Sequence, residues 1–328
     1  MSIYVYYFFS LLGLTFFYSN SNKISKITNL YKKSNDKTPL IGGLGIYIFF
    51  IAGIINFYFH NSELILNNIN LVIIISLVFL IGIFDDIYNL SYATRLISIF
   101  TLIIIFLNFE NKFIINQLYF ETFNRTYNLG NISYFITALF IVLFINSMNM
   151  ADGINGNSSL IFLTFFYILF EPYSFLNIFL VLITMSLMIF LFFNLKNKLY
   201  LGDSGVYFIS IFFALYVIYK YNYGVNTISS EKIFVTFMIP GIDMLRLFCV
   251  RLYNRSNPFK GDLNHLHHLL INKFNIYKSL LVYVAMILWP YLIYNVFEIK
   301  IYYLIILNML VYSGLIIILK KHNTYLNF

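Results

Sequence analysis

Two adjacent aspartates, Asp85 and Asp86, stand directly after an apolar run that begins near Asn70. A carboxylate taken out of water costs free energy unless its charge is paired, protonated or bound to a metal. If the helix continues past Asp85, the Asn89 amide lies on the same face as the Asp85 carboxylate. Because carboxylate and amide oxygens are the ligands that a hard cation such as magnesium prefers, this pattern predicts either a cation site or a solvated helix end.

A second polar cluster ends another apolar run. Asn146, Asn149 and Asp152 recur every three residues and therefore share one helical face. Gly153 and Gly156 then end the helix and allow a close backbone approach. Amide side chains here can ligate a metal or form hydrogen bonds with a sugar or a phosphate. A merely polar helix end is the alternative, although amides inside an apolar span would each need a partner.

A short turn reads Gly202-Asp203-Ser204-Gly205 and precedes a long apolar run. By itself this sequence is typical of a tight turn and of a helix N-cap. A carboxylate at the start of a membrane span is also well placed to hold a metal ion, so Asp203 is a candidate ligand.

The fourth cluster contains three histidines within four residues, His265-Leu266-His267-His268, and follows a loop that contains Arg255. Histidines at this spacing suggest zinc, and on a helix His265 and His268 would share a face. The surrounding residues are basic, however, so phosphate binding requires fewer assumptions than a second and softer metal site. We expect Arg255 and the three histidines to bind an anionic ligand, with an ordinary interfacial loop as the alternative.

These clusters interrupt a chain that is otherwise apolar. Of its 328 residues, 60% are hydrophobic and 10% are charged, whereas soluble domains carry about 25% charged residues. The apolar runs approach the roughly 20 residues that an α-helix needs to cross a bilayer, and the alternating segments of about 10 residues typical of a membrane β-barrel are absent. Cys249 is the single cysteine, which excludes an intramolecular disulfide. The sequence therefore predicts an all-α polytopic membrane protein.

Apolar length and helix breakers predict about 11 transmembrane helices within one membrane domain that covers residues 1–328. The predicted spans are residues 3–19, 41–59, 69–84, 95–109, 132–150, 158–171, 174–193, 203–220, 233–250, 277–297 and 300–319. We expect tight turns on the outer side at Pro172 and between Glu298 and Lys300.

Charges outside the spans predict the orientation. With the N-terminus outside, sixteen of the 21 Lys and Arg residues, including Lys32, Lys37 and Lys260, fall on the cytoplasmic side, as the positive-inside rule requires. All six glutamates fall at outer ends, and all seven aspartates, including Asp36 and Asp243, fall at or near inner ends. The net charge of +8 thus belongs to loops that flank the membrane rather than to a nucleic-acid site. A polar site on the cytoplasmic face explains the separation of the acids.

Together the four clusters resemble the polyprenyl-phosphate N-acetylhexosamine-1-phosphate transferases (glycosyltransferase family 4), integral membrane enzymes that move a sugar-1-phosphate from a UDP-sugar to a lipid phosphate. The resemblance covers nearly the whole chain, in the family's order and at similar spacing. The matching segments are Pro39 to Gly45 as Pro-x-x-Gly-Gly-x-Gly, Asp85-Asp86-x-x-Asn89-Leu90-Ser91, Asn146-x-x-Asn149-x-x-Asp152-Gly153, Gly202-Asp203-Ser204-Gly205, and Asn257-Pro258-Phe259 to His268.

The histidine segment and the eleven spans are similar to the undecaprenyl-phosphate GlcNAc-1-phosphate transferase branch, which primes O-antigen, common-antigen and teichoic-acid synthesis. The phospho-MurNAc-pentapeptide translocase branch has a different histidine loop and ten spans. Two positions depart from the first branch. Asn89 stands where a third acid is usual, and Ile41 stands where a basic residue usually precedes the paired glycines.

The resemblance implies a transfer that depends on Mg²⁺, with Mn²⁺ as the alternative, from UDP-GlcNAc or a related UDP-sugar to undecaprenyl phosphate, with release of UMP. It implies that Asp203 and Asn149 hold the metal between the two phosphates, that Asp85 and Asp86 place or deprotonate the lipid phosphate, and that Asp152 orients the nucleotide. The implied substrate-binding residues are Asn89, Asn146, Arg255, His265, His267 and His268. Direct in-line attack and a covalent two-step route both stay open.

The implied location is the bacterial cytoplasmic (inner) membrane, with the active site facing the cytoplasm and membrane lipids as further partners. A homodimer, the sugar and the glycan pathway are left open. The rival hypothesis is a transporter or flippase with an intramembrane acidic ion site. The sequence shows neither paired halves nor acids at the middle of a span, which argues against that rival.

Overall fold

The computed structural model describes residues 3–28, 30–31, 38–170, 176–224, 228–259 and 262–326. The chain is 79% helical, and this confirms the predicted all-α fold class. Some residues used in the predictions lie outside the described ones: Lys32, Asp36, Lys37, Pro172 and Lys260, together with the end of predicted span 158–171 and the start of span 174–193.

The described residues form fourteen α-helices, most of them long and apolar. They are α1 (Ile3–Ser19), α2 (Ser21–Thr28), α3 (Gly42–His60), α4 (Ser62–Leu66), α5 (Ile69–Tyr88), α6 (Tyr92–Phe109), α7 (Ser133–Ala151), α8 (Asn157–Leu169), α9 (Asn177–Asn194), α10 (Gly202–Tyr223), α11 (Ser230–Tyr253), α12 (Leu266–Lys273), α13 (Ile276–Phe297) and α14 (Ile301–Leu326).

Nine helices in the described part of the chain are long and apolar enough to cross a membrane. Helices α1, with 17 residues, and α8, with 13, coincide with the two remaining predicted spans. The chain is therefore a polytopic membrane protein, while the number of eleven crossings stays a prediction. Three short helices, α2, α4 and α12, had no counterpart in the predicted spans because they are too short to cross.

The segment between α6 and α7 contains an antiparallel hairpin of β1 (Gln117–Phe120) and β2 (Arg125–Asn128). Asn124 takes a φ of 47° in the turn, a conformation that asparagine tolerates better than most residues. This hairpin could not be predicted from the sequence, because strands of four residues leave almost no periodic signal.

The hairpin is held by acidic side chains. Glu231 of α11 is 6% exposed and accepts the backbone N–H of Glu121 at 2.7 Å. The Glu121 carboxylate lies 2.9 Å from Lys232 Nζ and accepts the Tyr294 hydroxyl at 2.5 Å. Burial raises the pKa of Glu121, but the hydrogen bonds from Tyr294 and Lys232 outweigh it and leave that pKa below its ordinary value.

The chain forms two compact units. The first consists of Met1–Ile114, Tyr134–Ile145 and Phe170–Tyr219, and the second of Ile115–Ser133, Asn146–Leu169 and Lys220–Phe328. Asp85, Asp86 and Asp203 therefore belong to the first unit. The cluster at the end of α7 and the three histidines belong to the second unit.

In the first unit, glycines bring the starts of α3 and α10 together. The Gly42 N–H donates to the Tyr200 carbonyl at 2.9 Å, and the Gly43 N–H donates to the Leu201 carbonyl at 2.8 Å. A side chain on Gly43 would overlap the backbone of Gly205. The paired glycines after Pro39 therefore have a packing role, because only glycine permits this approach.

In the second unit, α11, α13 and α14 contact one another, and α12 packs on α13 and α14. Asp243 lies in the middle of α11 and is 3% exposed. The expectation that every aspartate lies near the end of a span is therefore wrong for Asp243. A buried charge is tolerated there because several hydrogen-bond donors surround it.

Candidate active site

Asp85 lies near the end of α5, and it is 2% exposed. Its Oδ1 accepts the backbone N–H of Leu90 at 2.9 Å. Its Oδ2 accepts Nη1 of Arg95 at 2.9 Å and the hydroxyl of Tyr207 at 2.8 Å. The ion pair and the two neutral donors compensate for the water that this carboxylate loses on burial.

The next residue, Asp86, caps the start of α10. Its Oδ1 accepts the N–H of Asp203 at 2.8 Å, and its Oδ2 accepts the N–H of Ser204 at 3.1 Å. The first N–H groups of a helix have no intrahelical partner, and the helix dipole favours a negative charge near them. A side chain on Gly202, whose φ is +77°, would meet the Asp86 carboxylate at 2.8 Å, so glycine is required at this position.

Asp203 forms a group of three carboxylates with Asp85 and Asp86, and the Arg95 guanidinium interacts with Asp85 and Asp203. Its carboxyl group is in hydrogen-bonding contact with that of Asp85, and it accepts no hydrogen bond from any other residue that the structure describes. Arg95 forms its ion pair with Asp85, so the described carboxylates of this group outnumber their basic partners, and the group favours a further cation. Asp203 is therefore the carboxylate that remains open to a ligand.

The carboxylate oxygens of this group are suitable ligands for a hard cation such as Mg²⁺. Such an ion takes one or two carboxylates and completes its shell with phosphates and water, so it does not need a cage of protein ligands. Within the described ranges, no group of three or more His, Cys, Asp or Glu side chains is arranged to hold a metal. Asp203 is the first residue that would hold Mg²⁺. Phosphate groups and water would supply the remaining oxygen ligands.

Asn89 ends α5 instead of continuing it. The helix stops at Tyr88, and Asn89 takes the left-handed C-cap conformation with a φ of 51°, which asparagine tolerates. Its N–H donates to the Asp85 carbonyl at 2.8 Å, and its side chain is exposed. Asn89 therefore does not share a helical face with the Asp85 carboxylate, and its contact with substrate stays a prediction.

In the second unit, Asp243 is the centre of another buried network. Its Oδ2 lies 2.8 Å from Nδ1 of His265, and it also accepts the N–H of Leu266 at 3.2 Å. Its Oδ1 accepts Nη2 of Arg246 at 2.9 Å and the hydroxyl of Tyr312 at 2.6 Å. The network fixes the start of α12, and with it the first histidine, on α11 and α14.

His267 is 1% exposed, and neither of its ring nitrogens has a hydrogen-bond partner among the described residues. Its ring stacks on His265, with centroids 5.5 Å apart, and lies 4.2 Å from the ring of His268. Burial, together with the charges of His268 and His265, lowers the pKa of His267 to about 3. A buried polar group without a partner costs free energy, so this imidazole is well suited to receive a ligand.

The end of α7 lies against these histidines. A side chain on Gly153 would overlap Nε2 of His267 and would lie 2.8 Å from Nε2 of His268. Asp152, the C-cap of α7, accepts the hydroxyl of Ser158. The structure thus brings the segment that contains Asp152 and the histidine segment together within the second unit.

Asn146 and Asn149 lie three residues apart near the end of α7, and both are partly exposed. They belong to the second unit, whereas Asp203 belongs to the first. A metal ion shared by Asn149 and Asp203 therefore stays a prediction, as does the substrate contact of Asn146.

Arg255 is exposed in the turn after α11, with a φ of 52°, and its side chain has no partner within the described chain. The nearby Arg251 is buried and donates to Asp262 at 2.9 Å. Burial raises the pKa of Asp262, but the N–H of Asn264 and the Arg251 side chain stabilise the ionised form, and the pKa lies below its ordinary value. Arg255 is therefore free to meet an anion, while Arg251 supports the loop.

Three side chains of these networks were not among the predicted site residues: Tyr207, Asp243 and Tyr312. A tyrosine in an apolar run gave no signal, because the chain contains 29 tyrosines. Asp243 did give a signal, since a lone acid within an apolar stretch needs partners. Arg95 carries a similar signal near the start of α6, ten residues after the carboxylate that it pairs with.

Comparison with known proteins identifies a family. The model of the family described as Glycosyl transferase family 4 matches residues 68–221. A relative from Escherichia coli O157:H7, named undecaprenyl-phosphate alpha-N-acetylglucosaminyl 1-phosphate transferase, is 27% identical over 280 residues, which cover 79% of this chain and 74% of the relative. A protein of the same name from Salmonella typhi is 24% identical, over 74% of this chain and 68% of the relative. Another from Thermotoga maritima is 27% identical, over 63% of this chain and 63% of the relative. Over residues 68–221, therefore, the chain is similar to glycosyl transferase family 4.

Proposed function

We propose that this protein transfers N-acetylglucosamine-1-phosphate from UDP-GlcNAc to undecaprenyl phosphate and releases UMP, which starts a lipid-linked cell-surface glycan. The observation that carries the proposal is the carboxylate of Asp203. It accepts no hydrogen bond from a backbone N–H or a basic side chain of the described residues, while Asp85 and Asp86 beside it each accept several. The names of the relatives support the sugar and the lipid. The matching location is the bacterial inner membrane, with the site facing the cytoplasm.

In the proposed reaction, a phosphate oxygen of the lipid attacks the phosphorus that carries the sugar. A new P–O bond forms, and the bond from that phosphorus to the bridging oxygen breaks, so UMP leaves with that oxygen. Mg²⁺ bound at Asp203, with Asn149 as the second predicted ligand, would neutralise charge on the transferring and leaving phosphates.

Asp85 and Arg95 place the lipid phosphate in this proposal. The Arg95 guanidinium donates once, to Asp85, and makes no other hydrogen bond to the described residues, so its remaining N–H groups are available to an anion. A phosphate monoester has a second pKa near 6, and most of the lipid phosphate is therefore dianionic at neutral pH. A strong base is not required, which favours direct attack over a covalent intermediate. Asp86 acts on the same reaction by holding the backbone that carries Asp203.

The second unit supplies groups for the nucleotide sugar. We assign Arg255, His265, His267 and His268 to its diphosphate or its sugar hydroxyls, because His267 is buried without a partner and Arg255 is exposed without one among the described residues. A neutral imidazole can donate from one nitrogen and accept at the other, which suits a hydroxyl or a phosphate oxygen. Asp152 keeps the end of α7 against this segment.

The test uses purified protein in vesicles with undecaprenyl phosphate, Mg²⁺ and UDP-GlcNAc labelled in the sugar. We expect lipid-linked label and an equal amount of UMP. Asp203→Asn should abolish the transfer while the protein stays folded and inserted, and Glu110→Gln, which alters an acid that pairs with Lys112 in the same unit, should keep it. Full activity of Asp203→Asn would contradict the metal assignment. Uptake of label without a lipid product would support the transporter instead.

A further inference from the structure

The hydroxyl of Tyr207 lies 2.8 Å from Oδ2 of Asp85, and the Tyr207 side chain is 2% exposed. Tyr207 is one helical turn after Asp203 on α10, so both side chains face the same way. The start of α10 therefore holds both aspartates of the pair: its first N–H groups bind Asp86, and the phenol of Tyr207 binds Asp85.

Arg95 and Tyr207, the two groups that donate to Oδ2 of Asp85, differ in charge and in how far their side chains can move. The Arg95 side chain is 25% exposed and can turn toward an arriving anion, whereas Tyr207 is fixed within a buried helix. A phenol orients a carboxylate without neutralising it. When a phosphate competes for Arg95, Tyr207 still keeps a hydrogen bond on Oδ2, so Asp85 is not left as a buried charge without a side-chain donor.

We propose that Tyr207 is a positioning residue that holds the Asp85 carboxylate so that Arg95 can be shared with the phosphate of the lipid acceptor. This inference rests on the proposed function, in which Asp85 and Arg95 serve the acceptor. Without the phenol, Oδ2 of Asp85 keeps its hydrogen bond from Arg95 and binds Arg95 more tightly. Arg95 then has less freedom to meet the lipid phosphate, while the nucleotide sugar is unaffected.

The test is Tyr207→Phe, which removes the hydroxyl and keeps the ring. One hydrogen bond to a charged group corresponds to roughly a tenfold change, so kcat/KM for undecaprenyl phosphate should fall by about that factor, mainly through KM. The KM for UDP-GlcNAc should stay within about twofold of the original value. Tyr216→Phe is the matched control, because Tyr216 is a buried tyrosine of the same helix whose hydroxyl donates to Asn177 at 3.2 Å. Its kinetic constants should not change.

A second measurement separates this inference from the proposed function. Undecaprenyl phosphate binding, measured by thermal shift without any UDP-sugar, should weaken about tenfold in Tyr207→Phe and stay unchanged in Tyr216→Phe. A parallel rise in the KM of both substrates, or a lower unfolding temperature with unaltered acceptor binding, would overturn the positioning role. If the unsubstituted protein binds the lipid phosphate but makes no lipid-linked sugar, the proposed function is wrong. The comparison of acceptor binding with Tyr207→Phe would still be valid.

Discussion

Nδ1 of His265 lies 2.8 Å from Oδ2 of Asp243, and both side chains are buried. The same carboxylate accepts Arg246 and the hydroxyl of Tyr312. When one imidazole nitrogen is held by a carboxylate, the ring orientation is fixed and the other nitrogen, Nε2, is left for a second partner. Asp243 thus determines how the first histidine of the segment is presented.

Asp243→Asn should destabilise the protein and impair its use of UDP-GlcNAc. Removing one partner from a buried charged network costs about 3–5 kcal/mol, because Arg246 loses its counter-charge. We expect a lower unfolding temperature in detergent and a KM for UDP-GlcNAc raised by about tenfold or more, with the KM for undecaprenyl phosphate less affected.

The control is Glu121→Gln, which alters a carboxylate of the same unit. Glu121 forms an ion pair with Lys232, and the two side chains are 33% and 24% exposed, respectively. Such pairs contribute about 0–1 kcal/mol, so this variant should unfold near the original temperature. Equal effects of the two substitutions on stability and on KM would show that Asp243 has no special role.

Gly153→Ala should displace His267. The added methyl group would overlap Nε2 of His267, and inserting a group into a packed region costs about 1–3 kcal/mol. Transfer from UDP-GlcNAc should fall severalfold. Gly241→Ala is the matched control, since a side chain there meets no atom within 4 Å among the described residues, and it should keep full transfer. Unchanged kinetics of Gly153→Ala would show that the histidine segment can shift without loss.

Stability should fall below neutral pH because of His267. Burial, together with the charges of His268 and His265, lowers its pKa from 6.5 to about 3, so between these values the unfolded chain binds a proton that the folded chain does not. The free energy of unfolding then decreases as pH falls through 6.5, by up to about 1.4 kcal/mol per pH unit from this group. His267→Gln cannot titrate, so its unfolding temperature should change less between pH 7.5 and pH 5. An identical pH response of both proteins would contradict the assignment.

The four polar clusters can be recognised from the sequence, because acids and amides in an apolar chain are costly and each one stands out. The sequence could not predict their partners. Asp86 binds backbone groups of α10 that are far away in sequence, and no residue type marks a backbone N–H. Tyr207 and Tyr312 could not be predicted for a related reason, since a tyrosine in an apolar helix is interpreted as a packing residue. The end of α5 at Asn89 was readable in principle, as asparagine is a common residue where a helix ends in the left-handed conformation.

The contact between Asp86 and the start of α10 also constrains the order of folding. It joins residues 117 positions apart, and α5 is synthesised and inserted long before α10. Until α10 arrives, Asp86 and Asp85 lack their donors from that helix and must be hydrated or protonated at the membrane surface. The carboxylate group can therefore close only late in assembly, and a chain truncated before Gly202 would hold α5 and α6 without forming this group.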